Sequence, residues 1–242
     1  MKSNNARAPE QATAQDSREK VWIQPYASKA SRRPALKSTT SVRGALVNPA
    51  TNREIVYEST LERDLAYILL ADPSVEDIHD QPEAVSYIDS DGVVREHTFD
   101  FVAHRTDGTR TAVAVKPATK LVSSGIAETL DLIRAQCPPS FADHFAVRTG
   151  DHITRDRAAD ARLILKSRRM SNVSAIAEVK EIASTLRGAV RISDLLSVSR
   201  NDGHGFMAVV RLIGDGLLEH VSPGRISYDS AVRSTRKFNP NH

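Results

Sequence analysis

Apolar positions recur with two different periods along this chain. In STLERDLAYILLADP, residues 59–73, Leu61, Leu65, Ile68 and Leu69 share one face of a 3.6-residue wheel, which predicts an amphipathic helix stopped by Asp72-Pro73. Before it, SVRGALV and EIVYES flank an Asn-Pro and Asn turn signal and predict a hairpin. After it, residues 75–117 alternate β-prone runs around Asp91-Gly92 and Asp107-Gly108, dipeptides that favour tight hairpin turns. The helical period returns in GIAETLDLIRAQ, FADHFAVRT reads as a strand, and TRDRAADARLILKSRR is helical again. Together these elements predict an α/β module with a mixed sheet flanked by helices over residues 41–168.

A second module is expected over residues 169–234. Val173, Ile176, Val179, Ile182 and Leu186 support one helix, ISDLLSVS begins a second with Ser193 as its N-cap, and HGFMAVVRLIGDG makes a third that ends at a glycine. LLEHVSPGRISYDSAV adds two strands around a Ser-Pro-Gly turn. Three helices followed by a hairpin match the plan of a small winged-helix domain.

The first 40 residues lack apolar periodicity and predict a basic arm that is disordered at least in part; residues 235–242 predict a basic tail. Lys29, Arg32, Arg33, Lys37 and Arg43 leave the arm's C-terminal half without an acid, suited either to solubility or to contact with phosphates. Lys and Arg outnumber Asp and Glu by 33 to 30, a mild excess compatible with nucleic acid. A single cysteine, Cys137, rules out an internal disulfide and a cysteine-based zinc cluster, as expected of a reducing compartment. No run is long and apolar enough to span a bilayer, and the polar first residues do not make a secretory signal, so a cytoplasmic, nucleoid-associated protein without a membrane partner is expected.

The candidate chemistry lies in TFDFVAHRTDGTRTAVAVKP, residues 98–117. Asp100 enters one strand and Lys116 leaves the next, so both reach the same sheet face if the pairing parity allows. Aspartate offers a hard oxygen ligand to magnesium, and lysine can steer an attacking water or stabilise charge on a phosphate. Glu62 borders the apolar stripe of the first helix and can share a metal with Asp100. It also completes a capping box with Ser59, reaching back to the N-cap amide, and both readings stand. His97 and His104 flank Asp100 without a metal-binding partner set and read as surface or core histidines. In the second module His204 and Arg211 lie on the third helix and Arg225 at the hairpin tip, candidate DNA contacts together with Arg32, Arg33 and Lys37.

YESTLERDLAYILLADPSVEDIHDQPEAVSY, then REHTFDF, then AVAVKP, resembles the N-terminal catalytic domain of TnsA-type transposon endonucleases, a branch of the PD-(D/E)XK restriction-endonuclease-like fold. The resemblance spans roughly residues 40–150, and the following module is similar to the C-terminal domain of that family. It implies a magnesium-dependent endonuclease, with manganese as the alternative ion, that cuts double-stranded DNA at transposon ends. A DDE-type transposase would be its partner, with an AAA+ regulator as a further one. By position, Glu62 and Asp100 would hold the metal and Lys116 would orient the water.

The chain departs from the pattern at Ala114, where the fold has an acidic residue or glutamine. A methyl group neither ligates a metal nor binds water. A backbone carbonyl beside Lys116, a water, or Glu128 on the next helix can take its place. The alternatives to an endonuclease are a DNA-binding or assembly protein that keeps the fold without the chemistry, and a winged-helix regulator whose first module senses something else.

Overall fold

The computed structural model describes residues 23–32, 42–170, 172–199 and 203–236. The first hairpin pairs β1 (Gly44–Asn48) with β2 (Arg53–Tyr57), and α1 (Thr60–Ala71) follows. Ser59 is the N-cap of α1, accepting the Glu62 amide at 3.1 Å, and the helix ends at Asp72 before the proline, as the pattern predicts. Next come β3 (Val75–Asp80), the hairpin β4 (Val85–Ile88) and β5 (Val94–His97), and the hairpin β6 (Phe101–Arg105) and β7 (Arg110–Val115). Gly92 and Gly108 sit in the two turns with φ of 77° and 85°, a region closed to most side chains and open to glycine. Then α2 (Ile126–Gln136), β8 (His144–Arg148) and α3 (Arg155–Arg169) complete the first module.

A four-stranded mixed sheet, ordered β3-β6-β7-β8, carries the architecture, with only the β7–β8 pair parallel. Beside it, β1-β2 and β4-β5 stand as separate two-stranded sheets. Strand β7 is buried on both faces, which is why TAVAV is almost continuously apolar. Val113 and Val115 join Leu65, Leu69 and Phe101 under α1, whereas Ala112 and Ala114 join Ile126, Leu130 and Ile133 under α2. Burial of each large apolar side chain, such as Leu65 or Ile133, contributes roughly 1.5–3 kcal/mol.

Part of the expected arm is ordered on the body. Tyr26 donates its amide to the Asn52 carbonyl at 2.8 Å, and Ser28 donates to the carboxylate of Asp80 at 2.7 Å. Asp80 is buried, and it also accepts the Val56 amide at 2.6 Å, so one carboxylate ties the arm, β2 and β3 together. Arg33 and Lys37 lie outside the described residues.

The second module contains α4 (Val173–Ser184), β9 (Val190–Arg191), α5 (Ile192–Leu196), α6 (Gly205–Gly214), β10 (Leu218–His220) and β11 (Ala231–Ser234). Its antiparallel sheet is ordered β10-β11-β9, adding a strand that the sequence pattern did not suggest. Three details differ from the sequence reading. Val173 is exposed while Ala175, Val179 and Ala183 face the core; the N-cap of α5 is Arg191, with Ser193 inside the helix; and the last strand begins only at Ala231. Helix α3 packs on both modules, sending Ala161 and Leu165 to the first core and Leu163 to the second. At Gly214 a side chain would collide with Ile164, so glycine permits the close approach of α6 to α3. Arg168 locks the junction by donating to the carbonyls of Leu70, Ala71 and Gly214 at 2.7–3.0 Å.

Candidate active site

The β6–β7 register pairs Phe101 with Val113, which sets Asp100 opposite Ala114 and leaves Lys116 two residues further along, on the same parity. Asp100 does not continue the ladder as an ordinary strand residue. Its amide donates to the Val113 carbonyl at 3.0 Å, and its carboxylate accepts the Val115 amide at 2.6 Å. That second bond swings the side chain to the end of the sheet, where the charges of Glu62 and Glu58 reach it from the start of α1 and that of Lys116 from the end of β7. The Lys116 amide bonds the Arg148 carbonyl at 3.0 Å and so prolongs the parallel pairing by one residue, which fixes the base of the lysine.

Burial, and then the charge of Glu62, push the Asp100 carboxyl up to about 7, against the Val115 amide and Lys116, which lower it. Glu62 is also raised, chiefly by burial. Its two oxygens have local partners: Oε2 accepts the Glu58 amide at 2.6 Å and Oε1 the Ser59 hydroxyl at 2.8 Å. The capping role expected of Glu62 is therefore real but shifted by one residue, to the amide of Glu58 instead of that of Ser59. Capping and closeness to Asp100 coexist on one side chain, so the two sequence readings are not exclusive.

The charges of Glu62 and Lys116 both reach Asp100, and the structure adds further neighbours. Glu58 precedes the helix, and its charge reaches both Glu62 and Asp100. Arg32, a candidate DNA contact from the sequence, forms an ion pair with Glu58 at 3.1 Å and lowers the pKa of Glu62. His97 packs edge-on against Phe99 with 4.7 Å between ring centroids, its Nε2 buried without a hydrogen-bond partner among the described residues; burial, then Lys116, lowers its pKa. His104 lies away from this group, lining a cavity of about 350 Å³ with Lys29, His79 and Arg110. The only local signal for Glu58 was its four-residue spacing from Glu62; nothing in the sequence announced the proximity of His97 to Lys116.

Ala114 lies in the apolar core beneath α2, 1 % exposed. Glu128, in the first turn of α2, is exposed and is not among the groups whose charge reaches Asp100. Among the described residues, no group of three or more His, Cys, Asp or Glu side chains has a metal-holding arrangement. The side chains fit a hard cation as a pair: Glu62 and Asp100 crowd negative charge into a half-buried site, and a magnesium ion that keeps most of its waters needs few protein carboxylates.

The other candidate DNA contacts are dispersed. His204 is exposed just before α6, Arg211 bonds both oxygens of Asp215 at 2.8–3.0 Å, and Arg225 pairs with Asp156 at 2.8 Å.

The segment of residues 72–148 matches the family described as TnsA-like endonuclease N terminal. It includes Asp100, Ala114 and Lys116 but begins after Glu62, which joins them only through the packing of α1 on the sheet. No curated protein matches the chain. Among the described residues, no helix is long and apolar enough to cross a membrane.

Proposed function

We propose that this protein is a magnesium-dependent DNA endonuclease of the TnsA type, cutting double-stranded DNA at transposon ends. The observation that carries the reading is that the charges of Glu62 and Lys116 both reach the buried Asp100 at one end of a mixed sheet, with Asp100 and Lys116 inside the segment similar to TnsA-like endonucleases and Glu62 brought to it by α1. Glu62 and Asp100 would hold the magnesium, or manganese in its place. The ion would supply a Lewis acid and a water of lowered pKa. Asp100 is held ready by the Val115 amide and Glu62 by Ser59, so neither carboxylate has to be ordered when substrate arrives. Lys116 orients the attacking water and offsets charge on the phosphate.

Residues 41–168 form the restriction-endonuclease-like module and residues 169–234 a winged-helix module, a reading supported by three helices and a three-stranded antiparallel sheet. The protein works in the cytoplasm on the nucleoid, with a DDE-type transposase and an AAA+ regulator as partners. The test is a nicking assay with transposon-end DNA, magnesium and the partner transposase. Asp100→Ala is expected to reduce cutting by about 1000-fold or more, the scale of several kcal/mol of metal-ion catalysis. Lys116→Ala is expected to reduce it by roughly 100-fold while DNA affinity stays nearly constant. The burial of Ala114 supports a second reading, an assembly protein without chemistry. A mixture that never yields an Asp100-dependent cut selects it.

A further inference from the structure

Glu62 and the next residue of α1 face different surroundings. Arg63 turns away from the sheet into a cleft of about 720 Å³ between the two modules. Arg155 and Arg162 of α3 and Arg225 of the β10–β11 loop also line it, so four guanidinium groups meet two carboxylates, Asp64 in the lining and Asp156 beside Arg225. Asp64 is shared between Arg63 at 2.9 Å and Arg162 at 3.0 Å, and Arg225 is turned inward by Asp156. The N-termini of α1 and α3 open on the same cleft, through Thr60 and Leu61 and through Thr154 and Arg155. Both helices have twelve or more residues, so their positive ends add to the charge of the arginines.

We propose that this inter-module cleft is the seat of the DNA backbone beside the cut, holding phosphates of the duplex that flank the one at Glu62 and Asp100. The assignment rests on the endonuclease reading for its choice of duplex DNA. Three features select a phosphate backbone. Guanidinium groups present forked donors that match phosphate oxygens. Helix N-termini accept anions through first-turn amides that lack intrahelical partners. The cleft is lined by residues of the same helical turn that carries Glu62, which lets one strand serve both the carboxylates and the cleft. Because Arg225 comes from the second module and Arg63 from the first, the duplex would clamp the two modules together. Arg225 then serves the cleft instead of acting as a free hairpin tip.

The experiment is fluorescence anisotropy of the full chain with a labelled duplex in EDTA, where no cutting interferes, across a series of salt concentrations. The double variant Arg155→Ala/Arg225→Ala is expected to lower the log–log salt slope by about 1.8, at about 0.9 per lost phosphate contact. Asp64→Asn, which releases Arg63 and Arg162 from their carboxylate, is expected to tighten binding and steepen the slope, a gain that a misfolded chain does not produce. An unchanged slope in the double variant, or unchanged affinity in Asp64→Asn, overturns the proposal. So does a double variant that loses affinity for polyglutamate but keeps it for the duplex, which would make the cleft a seat for an acidic protein segment. The endonuclease reading fails separately: a chain that binds through these arginines and never cuts refutes the chemistry and leaves the cleft standing, while a chain that cuts and keeps its slope refutes the cleft alone.

Discussion

The two faces of the four-stranded sheet are built from the same strand and differ in what they admit. On the α1 face, β7 contributes Val113 and Val115 to a core that reaches the start of α1, where Glu58 and Glu62 act on Asp100 at the end of the sheet; Asp100 and Lys116 themselves share the strand parity of Ala114. On the α2 face it contributes Ala112 and Ala114 to a core that stays apolar up to Ile126 and the ring of Phe99. Small side chains let α2 sit close and exclude water, whereas α1 begins at a capping box whose carboxylate is anchored at the sheet end. The difference teaches that the small residue at position 114 serves the packing of α2, where the chain buries a methyl group.

Ala114→Glu breaks this contrast most severely. A carboxylate forced under α2 meets Leu130 and Ile133 without a hydrogen-bond donor, and we expect a loss of about 3 kcal/mol in metal-free stability by denaturant unfolding. If magnesium restores that loss in full, the α2 face is open to the metal and the contrast between the faces is wrong.

Asp100→Asn sharpens the contrast from the charged side. The folded carboxyl titrates at about 7, above its unfolded value, so its contribution to stability is fully present below the unfolded pKa and is lost as the pH rises through 7. The asparagine variant keeps an acceptor for the Val115 amide and carries no charge. In metal-free buffer at pH 8 it should exceed the parent by on the order of 2 kcal/mol, with the difference vanishing near pH 4. Thermal melts at the two pH values measure it, and equal melting of both proteins at pH 8 would show that no charge is crowded there. The same shift requires magnesium affinity of the parent to rise with pH through about 7, with proton release on binding in the lower part of that range.

Ser59→Ala probes the join between α1 and the site with the smallest effect. It removes the acceptor for the Glu62 amide and the donor to Glu62 Oε1, at a cost of about 1 kcal/mol. Glu62 would then rest on the Glu58 amide alone. Native-state hydrogen exchange localised to the first turn of α1 is the expected signature; exchange spread over the whole helix would contradict a purely local cap.

Much of this protein was legible in the residue pattern because its elements announce themselves locally. The period of Leu61, Leu65, Ile68 and Leu69 and the stop at Asp72-Pro73 determined α1, and two Asp-Gly pairs determined the hairpins that bring β6 against β7. Once those two strands pair through a short turn, the parity of Asp100 and Lys116 follows from counting, since side chains alternate along a strand. Local spacing also contained the Ser59–Glu62 capping box.

What required tertiary structure is everything set by approach between distant segments. The bond from the Val115 amide to the Asp100 carboxylate, the reach of Glu62 and Glu58 across to it, and the arm that brings Arg32 to Glu58 all depend on which helix lies on which face. The burial of Ala114 beneath α2, the exposure of Glu128 and the added strand β9 belong to the same class. The arginine cleft is the extreme case. Arg63, Arg155, Arg162 and Arg225 are scattered over three elements of ordinary helical or loop composition, and only the packing of α1, α3 and the β10–β11 loop gathers their charge. Periodicity records which side of an element is apolar; it carries no record of which other element that side will meet, because contact free energies between segments depend on shape and burial that exist only after the chain has closed.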